Sequence, residues 1–286
     1  QLRDQAKMHA QAIVDVTADE KLKAALEAWL AEGDDDDKTA ELSDAVREAI
    51  AATGESSADI DFLRQREDTL TKKAIWMFGG DGWAYDIGYG GLDHVMASGL
   101  DLNVLVVDNE LYANTGGQAS KATPIGASVQ FAAAGKTTPK KDLGMILSTY
   151  GYVYVAQVSL GANPEHVIKC LKEAAAHKGP SIVIAYAPCI NHGLSKGMAK
   201  VMDEGKEAVE CGFWPLFRYN PDVEDGKNPF SLDSAAPNGK LRDYMMGETR
   251  FASLTRTFPE IAERLFAEAE DFTTKRYDKY RKLAGK

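Results

Sequence analysis

Residues 73–118 read KAIWMFGGDGWAYDIGYGGLDHVMASGLDLNVLVVDNELYANTGGQ, and two short apolar runs stand out in them. KAIWMFGG and LNVLVVDN are rich in β-branched and aromatic residues and end in turn residues, the pattern of strands buried on both faces. Between them AYDIGYGGLDHVMASG carries helical spacing. YVYVAQV (152–158) and PSIVIAYAP (180–188) repeat the strand texture, with helical patterns at KDLGMILSTYG (141–151) and NPEHVIKCLKEAAAHKG (163–179). Alternating strand and helix predicts an α/β fold: a parallel sheet with helices on both faces, and ligands beyond the carboxyl ends of the strands.

Outward from this stretch the texture is helical. In KLKAALEAWLAEG (21–33), Leu22, Ala25, Leu26, Trp29 and Leu30 make one apolar stripe. DAVREAIAAT (44–53) and SADIDFLRQREDTL (57–70) give two more helices, the second with Ser57 as N-cap. The run Asp34 to Asp37 with Lys38 also spells a protease-recognition sequence, but helical pattern on both sides favours a solvated acidic loop. Residues 220–240, rich in Pro, Gly, Asn and Asp, read as a surface excursion. PEIAERLFAEAEDFTTKRYDKYRKL (259–283) predicts a long helix with Pro259 in its first turn. The expected organisation is a helical N-terminal segment over 1–71, an α/β domain over 72–220, and over 221–286 an excursion and helices packing on that domain.

The 286 residues carry a net charge of −10, with 44% hydrophobic and 27% charged residues, which argues against disordered and low-complexity classes. Clustered Lys and Arg are absent, so nucleic acid is not an expected partner. No run approaches the roughly 20 apolar residues of a membrane span. The start QLRDQAKMHAQ lacks the apolar core of an export signal. A cytoplasmic location is therefore expected. Cys170, Cys189 and Cys211 are odd in number and widely spaced, which argues against a disulfide framework. Three thiols without a CxxC pair cannot by themselves hold a four-cysteine site.

The chemistry concentrates where the first two strands end. Gly79-Gly80-Asp81-Gly82 permits close backbone approach and leads into a helix, which suits a phosphate. The loop lacks the GK[ST] of a P-loop, and GYGGLD puts Asp93 where a dinucleotide fingerprint needs Gly. Asp81 would repel a phosphate unless a cation stood between them; Mg²⁺ takes hard oxygen ligands and shares them with phosphates. Asn109 lies 28 positions after Asp81, at the end of the next strand, and could reach the same ion. Either motif alone also reads as an ordinary turn; their spacing on successive strands favours the metal.

GDG followed by this Asn resembles the thiamine diphosphate signature. The stretch from GGDG through YANTGGQASKATPIGA is similar to the C-terminal thiamine diphosphate domain of pyruvate:ferredoxin (or flavodoxin) oxidoreductases, and YANTGGQASKATP is its specific part. The similarity extends through YAPCINHGLSKGM to MGETRFASLTRTFPE. It implies the three-layer parallel sheet of the thiamine diphosphate-binding fold, with a helical N-terminal segment and a helical C-terminal tail. It implies Mg²⁺ held by Asp81, Asn109 and the Leu111 carbonyl, with Gly80, Gly82 and Trp83 beside the cofactor. Asn114 would sit by the thiazolium and the incoming 2-oxoacid as the catalytic residue, and Thr115 near the diphosphate. A Gly-rich turn with a left-handed Asn114 is the plain alternative.

By the same resemblance Cys189 is one of four ligands of a 4Fe–4S cluster, while Cys170 and Cys211 read as core thiols. The other three ligands are not in this chain. Their absence, together with Gln1 in place of an initiator Met, leads us to expect a piece of a longer enzyme, inactive alone. The implied partners are the remaining domains of that enzyme, pyruvate and coenzyme A, ferredoxin or flavodoxin, and a second copy in a homodimer. The implied reaction is oxidative decarboxylation of pyruvate to acetyl-CoA and CO₂. The alternatives are a stand-alone thiamine diphosphate-binding subunit and a non-redox 2-oxoacid decarboxylase or synthase. His192 alone among the five histidines falls near the proposed site, where structural capping is favoured over catalysis. No HxxxH or HExxH pairing supports zinc.

Overall fold

The structure, a computed structural model, describes residues 2–286 and divides into two units, 1–74 and 75–286. The first unit is helical: α1 (Leu2–Val14), α2 (Glu20–Glu32), α3 (Thr39–Ala52) and α4 (Ala58–Gln65). Asp19 caps α2 by accepting from the Lys21 and Leu22 amides, and Ser57 caps α4 by accepting from the Ile60 amide. Leu22, Leu26 and Trp29 of α2 pack with Ala6, Ala10, Val46, Ile50 and Leu63 into a core of their own. The Trp29 indole N–H donates to the Leu70 carbonyl at 2.8 Å, which satisfies its buried polar edge. Asp34 to Asp37 lie exposed in the turn between α2 and α3.

The second unit runs β1 (Trp76–Gly80), α5 (Tyr89–Ala97), β2 (Leu102–Asp108), α6 (Leu143–Ser148), β3 (Tyr154–Val158), α7 (Pro164–Ala176), β4 (Pro180–Tyr186), α8 (Val201–Glu210), β5 (Phe217–Tyr219), β6 (Phe230–Leu232), α9 (Leu241–Met246), α10 (Thr249–Thr257) and α11 (Pro259–Leu283). Among the described residues the strands form one six-stranded sheet ordered β1-β2-β4-β3-β5-β6. The pairs β1–β2, β2–β4 and β4–β3 are parallel. Alternation along the strands divides the core. Val104, Val106, Val155, Ile182 and Ile184 face the main cluster with residues of α5, α6, α10 and α11, whereas Tyr154, Ala156, Val158 and Val183 meet Cys170 and Ala174 of α7 on the other face. Helices therefore cover both faces, as the alternation of strand and helix in the sequence predicts. No helix among the described residues is long and apolar enough to cross a membrane.

Two expectations need correction. The sheet is not wholly parallel, because β5 pairs antiparallel with β3 and β6 with β5. Residues 220–240 are not only a surface excursion, since they contain β6. Phe230 stacks on Phe217 at 5.4 Å and meets Tyr280 of α11 at 5.8 Å, so aromatic packing anchors a strand too short to show periodicity. The helical pattern after Asp81 also splits. Gly82–Ile87 is a widened, π-helical turn closed by the Gly88 amide on the Trp83 carbonyl at 2.9 Å, and only then does α5 begin. A side chain at Gly88 would collide with the Trp83 ring.

Candidate functional site

β1 and β2 are neighbours with Gly80 opposite Val107, so the residues leaving their carboxyl ends emerge side by side. Asp81 begins the π-helical turn and is 2% exposed. The Asn109 amide donates to its Oδ1 at 3.3 Å and the Ser120 hydroxyl to its Oδ2 at 3.4 Å. Glu110 has φ +67°, a left-handed conformation that a non-glycine residue adopts at a cost of about 1 kcal/mol. The chain reverses there, which brings the Leu111 carbonyl back beside the Asn109 side chain. The Asn109 side-chain amide donates to both the Leu111 carbonyl and Asp81 Oδ1, each at 2.8 Å. The Asn109 amide thus links the carboxylate at the end of the first strand to the carbonyl of the turn after the second.

These residues border an open cleft of about 540 Å³. Gly80, Asp81, Gly82 and Trp83 line it from the first strand end, and Asn109, Leu111, Asn114 and Thr115 from the second. Tyr112, Ala113 and Val107 complete it. Side chains at Gly79 and Gly82 would collide with the rings of Trp83 and Tyr112, so two glycines let aromatic rings lie over the backbone at the cleft wall. Asn114 and Thr115 are exposed on the rim. Cys189 does not line the cleft; it is half-buried and starts the short turn Ile190–His192. Cys170 and Cys211 are buried at 0% and 2% exposure in the two cores.

Beneath the cleft lies a layer of buried charge that sequence reasoning did not anticipate. The Lys140 ammonium donates to Asp108 at 2.7 Å and to Glu110 at 3.3 Å. Arg250 donates to Glu110 at 2.7 Å and to Glu248 at 2.7 Å. His192, fully buried, reaches Glu248 with Nδ1 at 3.2 Å and the Asn109 carbonyl with Nε2 at 2.7 Å. Burial alone would raise the Glu248 carboxyl, yet Arg250 and His192 hold it down at about 2. Asp108, Glu110 and Glu248 thus each meet a cation, whereas Asp81 makes no ion pair among the described residues. Burial, and then the Asp108 carboxylate, push Asp81 up to about 7. A buried carboxylate left over after its neighbours are paired is a place for a metal cation. No cluster of three or more His, Cys, Asp or Glu among the described residues is arranged to hold one; the Asn109 side-chain amide lies between Asp81 and the Leu111 carbonyl.

Residues 64–185 match the family described as thiamine pyrophosphate enzyme, C-terminal TPP binding domain. Over 92% of its length the chain is 54% identical to a pyruvate:ferredoxin oxidoreductase of Moorella thermoacetica, and over 99% it is 48% identical to a pyruvate-flavodoxin oxidoreductase of Klebsiella pneumoniae. This chain belongs to the pyruvate:ferredoxin/flavodoxin oxidoreductase family, in its thiamine diphosphate-binding part. It spans 23% and 24% of those two relatives' own lengths. A pyruvate dehydrogenase [NADP(+)] of Euglena gracilis, named as mitochondrial, is 42% identical over 96% of the chain, which makes up 15% of that protein. The family match includes the whole cleft but stops before Cys189, His192, Glu248 and Arg250. Of the buried charges, Glu248 and Arg250 stand in the segment MGETR that carries part of the resemblance, but no local spacing linked them to a site.

Proposed function

We propose that the cleft binds thiamine diphosphate through a Mg²⁺ ion held by the Asp81 carboxylate, the Asn109 amide oxygen and the Leu111 carbonyl. The observation that carries this reading is the Asn109 amide and the Leu111 carbonyl gathered on a buried carboxylate without an ion pair. The chain then works as the cofactor-holding part of a larger enzyme that oxidises pyruvate, with coenzyme A, to acetyl-CoA and CO₂ and passes electrons to ferredoxin or flavodoxin. Residues 72–220 carry the site, 221–286 pack on it, and 1–71 form an added helical segment.

Thiamine diphosphate supplies, when bound, the electron sink needed to cleave a 2-oxoacid. The protein's own work is positional. Asp81, Asn109 and Leu111 would hold the metal; Gly80 leaves open space at the cleft, Gly82 lets the Tyr112 ring lie over its backbone, and Trp83 and Tyr112 wall the cleft. Asn114 on the rim presents an amide to the 2-oxoacid, and Thr115 lies toward the diphosphate. Cys189, half-buried, donates one thiolate to a 4Fe–4S cluster. Cluster ligation takes four, and the burial of Cys170 and Cys211 leaves the other three to the rest of the enzyme.

Trp83 gives a direct test. Thiamine diphosphate added to the full-length protein with Mg²⁺ should quench tryptophan fluorescence, and EDTA or Asp81→Asn should abolish the effect. Equal binding in EDTA and in the variant would overturn the metal assignment. For Cys189, replacement by Ser should remove one cluster's signal from the EPR spectrum of the reduced protein.

A further inference from the structure

The loop that begins with Cys189 is pinned on two sides. The Thr249 amide and hydroxyl both donate to the Gly193 carbonyl, at 2.9 and 2.8 Å, and the Ser195 amide donates to the Gly247 carbonyl at 2.9 Å. On the other side, Asn191 donates to the Ala113 carbonyl at 3.4 Å and His192 to the Asn109 carbonyl at 2.7 Å. His192 is the buried member of this second pair; Asn191 is exposed.

Hydrogen-bond parity defines what the imidazole does. A carbonyl oxygen only accepts, so Nε2 carries a proton toward Asn109. Glu248 already accepts from Arg250 on Oε2 at 2.7 Å and from the Tyr244 hydroxyl on Oε1 at 3.2 Å, so toward His192 it is an acceptor again and Nδ1 also donates. The ring therefore bridges two acceptors from opposite sides. One is the backbone of the turn whose left-handed Glu110 is itself held by Arg250 and Lys140; the other is the carboxylate joined to that same Arg250. The circuit closes from Asn109 through His192, Glu248 and Arg250 to Glu110, one residue on from its start.

We propose that His192 is a positioning residue that ties the Cys189 loop to the Asn109–Leu111 turn, so that one buried network of hydrogen bonds holds the metal-binding oxygens and the half-buried thiol in register. The proposal rests on the reading of the cleft as a Mg²⁺–thiamine diphosphate site with Cys189 as a cluster ligand. It assigns the coupling between those two places to a side chain that touches neither group.

Two near-isosteric replacements separate the two bonds. The Gln amide nitrogen occupies the place of Nε2 and keeps the bond to Asn109; the Asn amide nitrogen occupies the place of Nδ1 and keeps only the bond to Glu248. In the full-length protein, His192→Asn should weaken Mg²⁺-dependent thiamine diphosphate binding about tenfold or more and alter the EPR spectrum of the cluster, as loss of a support behind a metal ligand does. His192→Gln should stay within about threefold of the parent. Equal affinities in both variants, whether lowered or unchanged, would overturn the proposal, because a merely structural histidine has no reason to distinguish them. Hydrogen exchange on the unmodified protein supplies a second readout independent of variant folding: adding Mg²⁺ and thiamine diphosphate should protect residues 190–193 together with 109–111. Protection of 109–111 alone also refutes the link. If Asp81→Asn binds the cofactor as well as the parent does, the site reading itself fails, a result that neither His192 variant can mimic.

Discussion

Asp81 concentrates the conflict between folding and function. It is a buried carboxylate whose neighbours all have cations while it has none, so the ligand-free protein bears a desolvation cost there. Asp81→Asn keeps the shape and removes the charge. We expect it to stabilise the cofactor-free protein by about 1–3 kcal/mol at pH 7.5 while destroying metal binding, the trade seen where sites are built at the expense of stability. Thermal melts with and without Mg²⁺ and thiamine diphosphate would check both halves; a lower melting temperature of the cofactor-free variant would contradict it. Asn114 gives the opposite pattern. It stands exposed on the rim, so Asn114→Ala should change stability by less than about 0.5 kcal/mol. Turnover of 2-oxoacid by the full-length protein should nonetheless fall steeply, and unchanged turnover would remove Asn114 from the catalytic assignment.

At the scale of elements, the β5–β6 edge is held by charge as much as by its short ladder. Arg218 of β5 forks onto Asp233 at 2.8 and 3.0 Å and onto Glu173 of α7 at 2.9 and 3.1 Å, and His166 of α7 reaches Asp233 at 2.9 Å. Burial would raise Asp233, but His166 and Arg218 hold it at about 2, below the ordinary 3.8. A carboxyl lowered in the folded state stabilises it above the unfolded value and loses that contribution as the pH falls toward the folded one. The window is therefore pH 4 down to 2, and the contribution above it is about 2 kcal/mol. Asp233→Asn should cost about that much at pH 6 in denaturant melts, and its deficit should shrink steadily below pH 4. A deficit constant across the window would assign the loss to packing.

For the whole molecule, the division into two units has a mechanical consequence. Each has a separate core, and Lys73, Ala74 and Ile75 run exposed and without regular structure between them. Such segments are where proteases cut first. Brief trypsin treatment should cleave after Lys73, and residues 74–286, which hold every residue lining the cleft, should keep Mg²⁺-dependent thiamine diphosphate binding. Loss of binding on that cut would mean that the helical unit takes part in the site.

The amino-acid sequence by itself determined the α/β alternation, the strand ends that carry Asp81 and Asn109, the cap at Ser57 and the long helix from Pro259, because these follow from periodicity and turn chemistry within a few residues. It also held the GDG-to-Asn spacing, which is the length of one strand–helix–strand crossover. The edge strands were beyond it, since three residues are too few to show a period and their packing depends on Tyr280 of a distant helix. The charged frame was further still. Lys140 meets Asp108 across 32 positions, His192 meets Glu248 across 56, and Arg250 meets Glu110 across 140. Separately each is an ordinary polar residue in a loop or helix. Only the closure of the sheet and its covering helices removes them from water, and it is that removal that pairs them and leaves Asp81, alone in this group, without a cation.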